Sequence, residues 1–316
     1  MAVDVDSAST GQKTHRYLRL SLVLVVLALL MGVAVQSVVV TWQPLQLGWH
    51  PLTSISHAFY TPMRDVFTGC LFAVAVALLA LSGRSRATTL LDICAVFAPL
   101  IAIVPTGIAD ARAEGHLPCP SATDCIPSAA VGGAKAGIAV YAIVVVTTVV
   151  VMAVIRARTR TPNRSAVIVS AIALLTAAVV VALAFAPTLN QDFPFNFWPV
   201  HSIHFAVTLL FFGCFAAVPI LYAGGPLDVH ETAPTPRQRV IYRVIAGLLI
   251  LDLLFLVAAI VFRQTFGETP AVLIGEVVAL VLFAWFWTVQ TFQRWNDANP
   301  PSILPFHAST PRRSEA

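Results

Sequence analysis

The chain has 316 residues, of which 58% are hydrophobic and 11% charged, with a mean hydropathy of +0.83. A charge content less than half the ~25% of soluble globular domains excludes a soluble enzyme and predicts an all-α, polytopic transmembrane bundle. The net charge of +4 is divided among short basic tracts between apolar runs, so membrane topology accounts for it and nucleic acid is not an expected partner.

In chain order, residues 1–16 are polar, lack a hydrophobic period and are expected to be disordered. The first apolar run, 17–40, exceeds the ~7–15 residue core of a secretory signal and reads as a retained span. Eight runs reach the ~20 residues that a helix needs to cross a ~30 Å hydrocarbon core: 18–40, 66–82, 88–109, 136–155, 165–186, 200–222, 240–262 and 271–293. The bundle is thus expected over 17–293. A Pro-, Thr- and Gly-containing linker at 224–239 suggests a division into six spans and two, and a disordered tail occupies 294–316.

Orientation follows from the basic residues. With both termini cytoplasmic, that side collects Lys13, Arg16, Arg19, Arg84, Arg86, Arg156, Arg158, Arg160, Arg164, Arg237, Arg239, Arg243, Arg294, Arg312 and Arg313, whereas the outer side keeps only Arg64, Arg112, Lys135 and Arg263. This bias of 15 against 4 out of 19 predicts a multi-pass protein of a bacterial cytoplasmic membrane, its termini inside. Cys119 and Cys125 then fall outside, close enough to be expected as a disulfide, while Cys70, Cys94 and Cys214 lie in spans as small hydrophobes.

The densest polar stretch, 49–69 (WHPLTSISHAFYTPMRDVFTG), sits at an outer membrane boundary and carries Ser54, Ser56, His57, Tyr60, Arg64 and Asp65. Charged groups in hydrocarbon cost at least ~2.5–3.5 kcal/mol at mid-span, so they need partners or water. Glu276, six residues into span eight, is expected to face the interior and to pair with Arg64 or the histidines. Asp110 ends span three at the same level, and His201 and His204 open span six on one helical face, a spacing that two metal ligands could share. Asp65 also suits the positive end of the span-two helix dipole. Asp252 falls mid-span in LLILDLLFL, where it is expected to be protonated or bonded to a neighbouring hydroxyl such as that of Thr147 or Thr148; Asp92 can reach the inner interface. No comparable gathering is expected at the inner face. The chain has no P-loop, GxSxG, HExxH, Rossmann or S4-like motif.

The segment SISHAFYTPMRDVFTG resembles a stretch before the second span in a group of uncharacterised bacterial multi-pass membrane proteins, and GEVVALVLFAWFW around Glu276 is similar to their final span. That group implies family membership and no reaction. A looser likeness, carried by Ser56, His57, Asp65, His201 and His204, is to the seven-span metal-dependent hydrolases that include alkaline ceramidases and adiponectin-receptor relatives. This chain departs from them in having HxxH in span six where they have HxxxH in a late span.

The expected function is an outward polar pocket that binds a lipid head group or small amphiphile through Ser56, His57, Tyr60, Arg64, Asp65, Asp110 and Glu276, with no cofactor and with membrane lipids as partners. One alternative is a metal-dependent hydrolase, with zinc on His57, His201 and His204 and with Asp65 or Glu276 orienting the water. A second is a proton-coupled transporter that uses Asp252 and Glu276.

Overall fold

The structure, a computed structural model, describes residues 10–42, 52–83, 85–107, 126–159, 164–186, 188–189, 202–227, 232–262 and 270–297. All regular structure among them is helical: α1 (Thr10–Trp42), a short 3₁₀ helix (Ile55–Tyr60), α2 (Arg64–Ala80), α3 (Arg86–Ile103), α4 (Ser128–Thr159), α5 (Arg164–Phe185), α6 (Ile203–Gly224), α7 (Pro236–Val261) and α8 (Ala271–Gln293). Seven of these are long and apolar enough to cross a membrane. The exception, α2, has 17 residues and is about 26 Å long at 1.5 Å per residue. The expected all-α, multi-pass membrane architecture is therefore present.

Local chemistry sets several boundaries. Ser85 and Ser202 cap α3 and α6 by accepting from the amides of Thr88 and Phe205. Thr235 and Gln238 form a reciprocal capping box at the start of α7, with Pro236 in the first turn, where its missing N–H costs nothing. At the end of α6, Gly225 takes a φ of 137°, a backbone conformation that side-chain-bearing residues resist.

Six helices close a ring. α1 packs on α2, α2 on α3, α3 on α6, α6 on α7, α7 on α8, and α8 returns to α1. The final two spans are thus part of the ring, and the polar linker before α7 does not separate a packing unit. α3 is the most enclosed helix, with Ala87, Leu91, Cys94, Ala98 and Leu100 buried along its length. The ring is filled on the α6 and α8 side by aromatic rings, with Phe215 4.6 Å from Phe283 and edge-on to Phe286 at 5.2 Å. α4 and α5 form a hairpin attached to α3, and their outer faces expose Val140, Ile143, Val144, Val150, Val167 and Leu175, as lipid-facing helices do.

Small residues bring helices close together. Ala271, Gly275 and Ala279 recur every four residues on the buried face of α8, and a Cβ on Gly275 would fall 2.4 Å from Leu256 Cδ2 of α7. A Cβ on Gly137 of α4 would likewise meet Ile103 of α3 at 2.5 Å.

Residues 10–16 and 294–297, within the two segments expected to be disordered, are ordered. α1 begins at Thr10, seven residues before the apolar run: Gln12 Nε2 donates to the Asp297 carbonyl at 2.9 Å, and Arg16 Nε donates to that of Trp295 at 2.6 Å. The same contacts hold residues 295 and 297. Polarity hid these segments, because their side chains make tertiary rather than apolar contacts.

Candidate functional site

The site is built where α3 ends. Pro105 disfavours helical geometry at the preceding residue, and Val104 is extended (ψ 112°). The unwound exit leaves two carbonyls without helical partners. Val104 O faces His204 Nδ1 at 2.6 Å, and Thr106 O accepts from the Tyr60 hydroxyl at 2.7 Å.

Opposite this exit, residues 53–63 fold into the end of the ring, where Ile55, Ala58 and Phe59 are buried. Ser54 caps the 3₁₀ helix by accepting from the Ser56 amide at 3.1 Å. Helix α8 answers the remaining polar groups. The Leu273 amide donates to Thr53 O at 3.2 Å, and the Glu276 carboxyl accepts the Ser54 hydroxyl at 2.8 Å, the Ile55 amide at 2.5 Å and contacts the Ser56 hydroxyl at 3.0 Å. Backbone away from water must be satisfied within the protein, and here a carboxyl does it.

His204, in the first turn of α6, is 4% exposed. A carbonyl oxygen only accepts, so Nδ1 carries a hydrogen towards Val104, and Nε2 faces Ser56 Oγ at 2.8 Å. Ser56 therefore stands between an imidazole and a carboxyl whose residues are 148 and 220 positions away in sequence.

Of the residues expected to form a site, Ser56, His204 and Glu276 meet directly, and Tyr60 braces the same end. His57 hydrogen-bonds through Nδ1 to Thr53 Oγ1 at 2.9 Å and sits on the rim. Arg64 is not the partner of Glu276. It is exposed, with its guanidinium 4.3 Å from the Phe59 ring, because the first turn of α2 points it away from α8. Asp65 is likewise exposed in that turn. Asp110, His201, Cys119 and Cys125 lie outside the described residues; the described cysteines, Cys70, Cys94 and Cys214, are free thiols. Ser54, the Ile55 amide and the Val104 carbonyl belong to the site as well. Two of these are backbone groups; Pro105 marks the exit that frees the Val104 carbonyl, and no residue type marks the Ile55 amide.

The metal and transporter alternatives meet specific geometry. Both ring nitrogens of His204 already face protein atoms, and no three potential ligands among the described residues gather as a metal site. Asp252 is buried on α7 with Oδ2 unpartnered, and it does not line the cleft that Glu276 lines. Asp92, rather than reaching an interface, is buried and accepts from Ser82 Oγ at 2.8 Å.

That cleft runs from Ser56 and Glu276 between α1, α2, α6 and α8, walled by Val25, Leu29, Leu71, Val74, Phe212 and Leu280. Its walls are apolar along their length, and its polar groups sit at one end.

The other end of the ring corrects the expectation that nothing polar gathers there. Arg294 Nε binds Asp297 Oδ2 at 2.6 Å with both side chains buried, and Asp297 also accepts the amide and hydroxyl of Thr232. Arg19, 3% exposed, donates to the Arg294 carbonyl, Arg294 reaches the Tyr222 hydroxyl at 3.5 Å, and the Arg16 guanidinium lies over the Trp295 ring at 4.7 Å. This cluster joins the first helix to the last and to the entry of α7.

Comparison with known proteins returns no matching family model, no matching curated protein and no matching solved structure.

Proposed function

We propose that the chain is an integral membrane protein that binds an amphiphile, holding its apolar chain in the cleft between α1, α2, α6 and α8 and its polar end beside Ser56 and Glu276. One observation carries this reading: the cleft is apolar along its walls and ends on the hydroxyl of Ser56 and the carboxyl of Glu276, with His204 behind Ser56. An apolar recess with a few convergent polar groups is the usual form of a small-molecule site. A membrane supplies acyl chains at high local concentration, so membrane lipids are the proposed ligands. The partition of basic residues supports an orientation with the Glu276 end outward in a bacterial cytoplasmic membrane, and in that orientation the head group lies in the outer leaflet. His57, on the rim beside Thr53, is in reach of the head group in this reading.

The test is binding of an environment-sensitive fluorescent fatty acid to the purified protein in detergent. Val74→Phe and Leu29→Phe fill the cleft without touching the polar knot. Each is expected to weaken binding by about tenfold or more, equivalent to about 1.4 kcal/mol, with thermal stability largely kept. Unchanged affinity in both stably folded variants sinks the proposal.

A further inference from the structure

Ser56 has one hydroxyl hydrogen but faces two acceptors. Its Oγ lies 3.0 Å from Glu276 Oε1 and 2.8 Å from His204 Nε2. The ring cannot be turned to help, because Nδ1 must keep its hydrogen for the Val104 carbonyl at 2.6 Å. Glu276 Oε2 already accepts the Ile55 amide, and the Ser54 hydroxyl lies across both carboxyl oxygens at 2.8 Å. If Glu276 were a carboxylate and His204 a neutral imidazole, the Ser56 hydrogen would satisfy one neighbour. The other contact would then set two lone pairs against each other at hydrogen-bond distance, which burial makes costly.

We infer that Glu276, Ser56 and His204 form a proton-binding site, holding one proton beyond that carboxylate and neutral-imidazole count and passing it through the Ser56 hydroxyl. In one arrangement Glu276 is a carboxylic acid whose O–H points to Ser56 Oγ, while the Ser56 O–H points to His204 Nε2. In the other, the Glu276 and Ser56 O–H bonds have broken together, a new Ser56 O–H bond faces Glu276, and Nε2 carries the second hydrogen. A neutral pair becomes a carboxylate and an imidazolium, with no proton gained or lost. Both arrangements satisfy every contact and carry no net charge, as an apolar surrounding favours.

Of the charged and ionisable groups around the site, His57 lies close enough to act electrostatically on both Glu276 and His204. Arg64 is turned onto Phe59, and Asp65 is exposed. Asp110, His201 and Arg263 lie outside the described residues. His57 itself is half-buried, with Nδ1 bonded to Thr53 Oγ1 at 2.9 Å. Ser56 and Glu276 also line the cleft, so a head group that hydrogen-bonds to either one competes for the atoms that hold the proton. Only this last coupling rests on the proposed amphiphile site; the proton count does not.

The experiment uses full-length protein in detergent with no lipid probe added. Infrared spectra with carboxyl-labelled glutamate report Glu276, assigned by its loss in Glu276→Gln; ¹⁵N-histidine NMR reports both nitrogens of His204, assigned by His204→Gln. The expected result is either a protonated Glu276 carboxyl with a neutral, Nδ1-protonated His204, or a carboxylate with a doubly protonated His204. A Glu276 carboxylate together with a neutral His204 overturns the inference. If the assignment variants do not fold, Ser56→Ala keeps both ionisable groups and removes the bridge. Its Glu276 and His204 signals must both move, and signals identical to wild type overturn the inference as well. Val74→Phe must leave the wild-type signals unchanged, so that loss of amphiphile binding and loss of the proton are read separately.

Discussion

The backbone amide of Ile55 donates to the carboxyl of Glu276, so a residue of the last helix satisfies a peptide group in the segment that leads into the second. The Ser54 hydroxyl donates to the same carboxyl, and the Ser56 hydroxyl oxygen lies 3.0 Å from it. Replacing it with Leu of similar bulk leaves several buried donors without an acceptor, at about 1–3 kcal/mol each. Glu276→Leu is expected to lower the thermal-unfolding midpoint in detergent by many degrees. Glu276→Gln, which keeps one acceptor oxygen, should fall between Leu and wild type. Equal stability of the Leu variant and wild type in a thermal-shift assay would show that the amide of Ile55 is satisfied elsewhere.

Gly275 supports the same carboxyl one residue away. It lets α8 lie so close to α7 that an added Cβ falls 2.4 Å from Cδ2 and 2.7 Å from Cγ of Leu256. The Cγ atom cannot swing clear without moving the whole side chain. Gly275→Ala is therefore expected to destabilise by about 1–3 kcal/mol, and adding Leu256→Ala should recover part of the loss by opening room for the methyl. The check is non-additivity of the two single changes in unfolding measurements. Gly69 and Gly213, whose added Cβ would meet nothing within 4 Å, serve as controls.

The helices and the gathering of Ser56, His204 and Glu276 at one end were legible because hydropathy and charge report where a side chain sits in depth. Depth does not report direction around a helix. Arg64 and Asp65 share the level of Glu276, yet the first turn of α2 turns both outward, while Ser56, a few residues earlier on the 3₁₀ helix, turns inward. The cluster at the opposite end was hidden differently. Arg19 and Arg294 read as basic residues flanking spans, as the topology rule expects, and nothing local reveals that a separation of 275 positions closes into a buried contact. Backbone acceptors such as Val104 O carry no side-chain signature at all.

Tyr60 gives a smaller effect with a clear sign. Its hydroxyl donates to Thr106 O at 2.7 Å and pins the 3₁₀ helix to the exit of α3, on the same short strand of chain whose Val104 carbonyl orients His204. Tyr60→Phe keeps the ring against Phe59, 5.3 Å between centroids, and removes only the hydrogen bond. A loss of about 0.5–1.5 kcal/mol is expected. Hydrogen exchange of the Ser56 and His57 amides should rise in this variant; if it does not, the bonds from α8 through Glu276 and Leu273 hold the segment without Tyr60.

At the other end, Arg294 and Asp297 form an ion pair whose side chains are 3% and 5% exposed. A pair this enclosed repays little over a well-packed apolar replacement, but removing one partner strands the other. Asp297→Ala takes the carboxylate from Arg294 and the acceptor from Thr232, and is expected to cost about 3–5 kcal/mol. Changing Arg294→Met as well should restore a good part of that loss, although Arg294 also reaches Tyr222. Because Arg19 donates to the Arg294 backbone carbonyl rather than to its side chain, the joint between the first and last helices should survive in the double variant. A disulfide-trapping pair between residues 16 and 295 reads this directly: cross-linking that persists in the double variant and falls in Asp297→Ala alone is the expected pattern. Equal cross-linking and equal stability in all three proteins would mean that the buried pair contributes nothing to holding the two ends of the chain together.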